Sequence, residues 1–259
     1  MQISIYHVDA FTDKLFGGNP AAVCPLEEWP DDQVMQQIGA ENNLAETAFF
    51  VREGDSFKLR WFTPAVEVDL CGHATLASAH VLFNHLGYMG TTIRFQSRSG
   101  ELRTTKAGDL ITLDFPTNKP KATKKPEVLA RALGKDPVEV YASSSLLAVF
   151  ESQDDIMNLA PDFDLVKQAD PHAVIVTAPA QDCDFVSRFF APNYGINEDP
   201  VTGSAHTVLI PYWSARLDKK KLHARQLSRR RGELFCEDKG ERVLISGRAV
   251  TYLVGEIHL

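Results

Sequence analysis

The chain has 259 residues, enough for one large domain or two of ordinary size. Hydrophobic residues make up 44% and charged residues 24%, the balance of a soluble globular protein. A formal net charge of −7 argues against nucleic acid or an anionic membrane as a partner.

The elements expected in chain order are mostly short strands. Ile3–Val8 alternates as a strand, Phe16-Gly-Gly-Asn-Pro20 is a turn, and Ala21–Cys24 is extended again. A helix opens after Trp29-Pro-Asp31, with Asp31 as its cap and Val34, Met35 and Ile38 on one face. Glu46–Val51 and Phe57–Phe62 read as strands. Residues 73–86 are apolar all round, the mark of a helix buried on every side. Strands follow at Thr92–Gln96, Leu102–Lys106 and Leu110–Phe115. Thr117–Pro126 is polar, lysine-rich and carries two prolines, which suits a linker.

The second half repeats the plan. A short helix is expected near Pro126–Leu133, with strands near Leu146–Glu151, Ala173–Thr177 and Asp184–Phe190. A second apolar helix covers Ser204–Ala215, which Pro211 should kink or shorten. Strands at Leu222–Leu227, Glu233–Glu237, Val243–Ser246 and Val250–Ile257 close the chain. The basic runs Lys219–Lys221 and Arg229–Arg231 are short, flanked by acidic residues, and read as solvated turns. The expected class is α+β, with a curled sheet around one helix in each half. The expected lobes are residues 1–116, completed by a C-terminal strand at about 248–259, and residues 117–247.

Four cysteines, Cys24, Cys71, Cys183 and Cys236, form no C-x-x-C pair and no zinc spacing. The start has no basic segment followed by a long apolar one, and no apolar run approaches ~18 residues. The expectation is a cytoplasmic protein with free thiols and no membrane span.

The approaches to the two apolar helices are alike. One reads Glu67-Val-Asp-Leu-Cys-Gly72-His-Ala, the other Glu198-Asp-Pro-Val-Thr-Gly203-Ser-Ala. Each has glutamate five residues before glycine, and the glycines stand 131 residues apart. The first turn of a helix presents unpaired N–H groups and partial positive charge, and glycine lets an anion approach. The same glycines also serve tight helix packing. Glu46 begins a strand with apolar residues on both faces. A carboxyl taken out of water there suits taking and returning a proton; a strand-edge glutamate facing solvent is the plainer alternative. His73, Asp199 and Asn19 each read equally as a site group or as a local cap. No dinucleotide, P-loop or nucleophile-elbow motif is present, so no nucleotide cofactor and no serine hydrolase is indicated.

Four segments together resemble the phenazine-biosynthesis PhzF-like family: Phe16-Gly-Gly-Asn-Pro-Ala-Ala-Val23, Ala45-Glu-Thr-Ala-Phe-Phe50, Cys71-Gly-His-Ala-Thr75 and Glu198-Asp-Pro-Val-Thr-Gly-Ser-Ala205. Arg225-Gln-Leu-Ser-Arg-Arg-Arg-Gly232 is similar to a later family stretch, except that Arg231 stands where glycine is usual. The resemblance implies a diaminopimelate-epimerase-like fold of two similar lobes, with a site in the cleft between them. It implies Glu46 as catalytic acid/base with His73 and Asp199 in support. Substrate contacts are expected at Asn19, Gly72, Gly203 and Ser204, and the resemblance further implies a homodimer and no metal or organic cofactor. The expected activity is an isomerase acting on a small carboxylate. The alternatives are an amino-acid or hydroxy-acid racemase or epimerase, and a binding protein of the same fold. Cys71 resembles one of the paired cysteines of related racemases, but the second position holds Thr202, which speaks against two-thiol chemistry.

Overall fold

A computed structural model describes residues 1–259, which divide into two compact units: Met1–Asp114 with Ser246–Leu259, and Phe115–Ile245. The first unit begins with β1 (Gln2–Ala10), β2 (Asn19–Leu26), α1 (Asp32–Asn42), β3 (Glu46–Glu53), β4 (Ser56–Phe62) and β5 (Glu67–Val68). The helix α2 (Gly72–Asn84) and the strands β6 (Thr92–Ser97), β7 (Gly100–Ala107) and β8 (Leu110–Pro116) follow. β2 runs parallel to β3, with Ala21 opposite Glu46. β1 is antiparallel to β2, and β3 to β4.

The α1 face carrying Met35 and Ile38 closes a core with Ile3, Ile5, Phe49 and Phe62. Asp31 stands at the start of α1 but its side chain makes no capping bond. α2 buries residues around its whole circumference, from His73 to Leu82, as its composition requires. Its two buried hydroxyls bond back to the helix, Thr75 to the Cys71 carbonyl and Ser78 to that of Ala74.

The second unit contains β9 (Lys121–Ala122), α3 (Leu129–Leu133), β10 (Glu139–Ala142), β11 (Leu146–Val149), α4 (Gln153–Asn158), α5 (Phe163–Ala169), β12 (Val174–Pro179) and β13 (Phe185–Phe190). Then come α6 (Gly203–Leu217), β14 (Lys221–Gln226), β15 (Gly232–Asp238) and β16 (Arg242–Gly247), before β17 (Ala249–His258) returns to the first unit. There β17 pairs antiparallel with β1 over its length. The expected linker at 117–126 is not free chain: its Ala122 pairs with Tyr141. α6 packs Trp213 flat on Phe185, ring centroids 5.6 Å apart, and the buried indole donates to Thr177 Oγ1 at 2.9 Å.

Pro211 does not shorten α6, which runs 15 residues through it. A proline leaves the carbonyl four residues earlier without its helical donor. Here that carbonyl belongs to Thr207, and it accepts the N–H of Asn118 at 3.1 Å. The vacated acceptor is thus filled from outside the helix.

His206 is fully buried in α6. Its Nδ1 donates to the Thr202 carbonyl at 2.8 Å, and Nε2 has no partner. Burial pushes it down to about 4, only partly offset by that hydrogen bond. The unfolded chain therefore takes up a proton below pH 6.5 that the folded chain refuses. Stability present above that pH is lost as pH falls toward 4, by about 3 kcal/mol from this group. Urea titrations of wild type and His206→Gln at pH 7 and at about pH 4.5 should show the variant losing about 2 kcal/mol less on acidification.

Candidate functional site

In the first unit, three backbone ends bring the predicted groups together. Gly18 turns the chain into β2 with φ +59°, and a Cβ there would lie 2.1 Å from the Ala10 carbonyl oxygen, so only glycine fits. Asn19 is the first residue of β2 and Glu46 the first of its parallel neighbour β3. His73 is the second residue of α2.

The imidazole of His73 is the centre of this cluster. Its Nε2 lies 3.2 Å from Glu46 Oε2, with side chains 6% and 15% exposed. Neither of these two atoms makes a hydrogen bond of good geometry, so the approach is an ion-pair contact. On the other edge of the ring, Nδ1 lies 3.1 Å from Asn19 Nδ2 and 3.5 Å from Cys71 Sγ. The Asn19 amide at Nδ1 sets the ring so that Nε2 faces Glu46.

Burial alone would pull His73 down, but the adjoining acidic groups outweigh it and hold it well above its ordinary value. The thiol contributes only when ionised, and burial first, then the Glu46 charge, push Cys71 up to about 11. With the thiol held up, the neighbouring Glu46 charge is the group left to favour the imidazolium. Glu46, Cys71 and His73 form a donor trio within 4.8 Å, which the spacing Cys-x-His alone does not reveal. Thiol and carboxylate sit at different ring nitrogens, so the imidazole bridges them. That suits sharing a proton better than closing around one ion, which takes a single ring nitrogen.

In the second unit, Asp199 and Thr202 lie just before α6, and Gly203 and Ser204 are its first two residues. Thr202 Oγ1 donates to Asp199 Oδ2 at 2.5 Å. Gln226 is fully buried; it accepts from Thr202 N and donates to the Asp199 carbonyl and to Thr202 Oγ1. Ser204, in the first turn of the helix, is exposed. Ser228 Oγ donates to the Pro200 carbonyl at 2.8 Å and accepts from Arg231 N. Arg231 keeps the left-handed backbone of the expected glycine, φ +57°, at a strain of roughly 1 kcal/mol.

Glu67 and Glu198 each hold an arginine two-handed. Arg60 Nε and Nη2 donate to Glu67 at 2.7 Å each, and Arg188 Nε and Nη2 donate to Glu198 at 2.7 and 2.9 Å. Each guanidinium lies over a phenylalanine two residues on, Phe62 at 5.2 Å and Phe190 at 4.9 Å. The signal was present as Arg60-Trp-Phe-Thr-Pro64 and Arg188-Phe-Phe-Ala-Pro192. The internal repeat is thus Arg-aromatic-Phe-x-Pro, a glutamate, and Gly-x-Ala.

No helix is long and apolar enough to cross a membrane. The profile of the phenazine biosynthesis-like proteins, PhzC-PhzF, matches residues 8–255. A Pseudomonas aeruginosa protein named an uncharacterized isomerase is 51% identical over 259 residues, covering 100% of both chains. The crystal structure of a PhzF family phenazine biosynthesis protein from Enterococcus faecalis superposes with TM-score 0.98 at 48% identity, covering 100% of each chain. A probable proline racemase from Agrobacterium radiobacter, solved with bound carbonate, has TM-score 0.67 at 10% identity, covering 99% of this chain and 93% of its own. That last likeness is one of fold alone, and with the PhzF structure it bears out the epimerase-like α+β fold expected from the sequence. An enzyme of the isomerase class agrees with the names of three relatives. Matched along nearly its whole length, the chain belongs to the PhzC-PhzF, phenazine biosynthesis-like family.

Proposed function

We propose that the protein is an isomerase that moves a proton within a small carboxylate-bearing molecule, with Glu46 as acid and base. The observation that carries this reading is the Glu46–His73 pair. A carboxylate that retains 15% exposure stands 3.2 Å from a buried imidazole with a raised affinity for protons. Glu46 takes the substrate proton and returns it at a second carbon. His73 steadies the carboxylate from behind, and Asn19 sets the ring. The first-turn N–H groups at Gly72 and at Gly203 and Ser204 offer contacts to a carboxylate or an enolate-like oxygen. Asp199 contacts a polar substrate group. The step needs no cofactor, because acid/base groups alone supply it. Four free thiols support a reducing cytoplasm. Exposed Phe16, Tyr252 and Val254 offer apolar surface for a homodimer.

The test is a panel of small carboxylic acids incubated with enzyme in deuterated water. Deuterium entering at a carbon with a double-bond shift supports the reading. Deuterium at a stereocentre without a shift would move the protein to the racemase class. No wash-in from any member, together with tight binding of one, would leave a binding protein of this fold.

The thiol is the rival base. A thiol held up to about 11 is not a thiolate at neutral pH, and the second cysteine that two-thiol chemistry needs is replaced by Thr202. Cys71→Ala should therefore keep activity within about tenfold of wild type. A loss near that of a Glu46 variant would transfer the role to the thiol.

A further inference from the structure

Thr202 is 7% exposed and all of its polar atoms are engaged. Its N–H faces Gln226 Oε1 at 2.9 Å and its carbonyl accepts from His206 Nδ1 at 2.8 Å. Its hydroxyl lies 2.5 Å from Asp199 Oδ2 and 3.1 Å from Gln226 Nε2. The direction of every proton in this network follows. A backbone N–H only donates, so the Gln226 atom facing Thr202 N must be the oxygen. The amide cannot be turned over, and Nε2 faces the Thr202 hydroxyl and, at 2.8 Å, the Asp199 carbonyl. An amide nitrogen only donates, so the hydroxyl accepts from it. The single hydroxyl proton is then left for the carboxylate oxygen of Asp199. Gln226 is 0% exposed, in the ladder opposite Ser187 and Gly232, so bulk water does not compete for its amide.

We propose that Thr202 is a positioning residue: its hydroxyl, turned by the buried amide of Gln226, donates to Asp199 and holds that carboxylate in one orientation at the start of α6. The proposal rests on the reading of Asp199 as a substrate contact. It gives Gln226, which touches no reacting atom, a part in aligning the site.

Three variants separate this from simple support of the fold. Thr202→Val keeps the shape and both backbone bonds and removes only the hydroxyl. Thr202→Ser keeps the hydroxyl. Gln226→Met leaves the hydroxyl in place and removes what turns it. The readout is the pH titration of the Asp199 carboxyl carbon by NMR, with thermal unfolding as the check on folding. A hydrogen bond to the ionised form favours that form, so Asp199 should titrate at higher pH in Thr202→Val and in Gln226→Met. Thr202→Ser should match wild type. Equal titration in wild type and Thr202→Val overturns the proposal, as does a Gln226→Met protein that behaves as wild type. Should the variants not fold, wild type alone decides. The Thr202 hydroxyl proton should exchange slowly and show a nuclear Overhauser contact to the Asp199 methylene, and its absence overturns the proposal. These readouts need no substrate, so an isomerase reading that fails in the deuterium assay leaves them intact.

Discussion

Glu46→Gln is expected to lower turnover by about 10³-fold while the protein stays folded. Glutamine has the size of glutamate and keeps a carbonyl oxygen toward His73, but it can neither take nor deliver a proton. A positioned general acid/base contributes roughly 10²–10⁴-fold, and here one group is asked to act in both directions. The same change removes the anion beside His73. Burial is the largest influence on that ring and acts downward, so the imidazole should lose its raised proton affinity when Glu46 is neutralised. A His73 signal that titrates at lower pH in the variant shows that the contact seen at 3.2 Å is electrostatically real. Near-complete activity in Glu46→Gln, on a substrate found by deuterium wash-in, would sink the assignment. A KM change with kcat intact would make Glu46 a binding group instead.

What could be read in the amino acids differs from element to element for physical reasons. α2 and α6 were legible because a helix apolar on all sides has one solution, burial on all sides. α4 and α5, six and seven residues long, carry too few turns for a periodicity and were missed. Their signal was in the caps. Ser152 and Asp155 form a reciprocal capping box, and Asp162 accepts from the N–H groups of Asp164 and Leu165. α6 runs on through Pro211 because Asn118 fills the acceptor vacated at Thr207, a contact the sequence does not show. At the site, the residues alone left Glu46, His73 and Asn19 unconnected, the resemblance grouped Glu46 with His73, and the start of parallel β2 beside β3 brings Asn19 to the same place. The matched glutamates were legible only by their spacing to glycine. Spacing showed them in register with glycine, whereas their arginine partners lie upstream and the two spacings differ, so a fixed-offset comparison passed over them.

Those arginines set the second large expectation. Arg188→Ala should lower the unfolding free energy by about 4 kcal/mol. The guanidinium is 13% exposed and Glu198 21%, so removing one leaves a poorly solvated charge behind. Its Nη1 also donates to the carbonyls of Ile156 and Leu159 at 3.1 and 3.0 Å, near the C-terminal end of α4. Those acceptors lose their donor together with the ion pair, and Phe190 loses the cation above its ring. Arg188→Lys should recover only a fraction, because an ammonium is one point of charge and cannot serve a carboxylate two-handed and two carbonyls at once. Arg60→Ala should be milder, at about 2 kcal/mol, although the clamp looks the same. Glu67 retains a second cation, Arg98 at 2.7 Å, and the other partner of Arg60, Asp32, is 71% exposed. Urea denaturation of both variants at neutral pH tests the difference. Equal losses would mean that Arg98 provides no substitute charge and that the carbonyls at the end of α4 do not depend on Arg188.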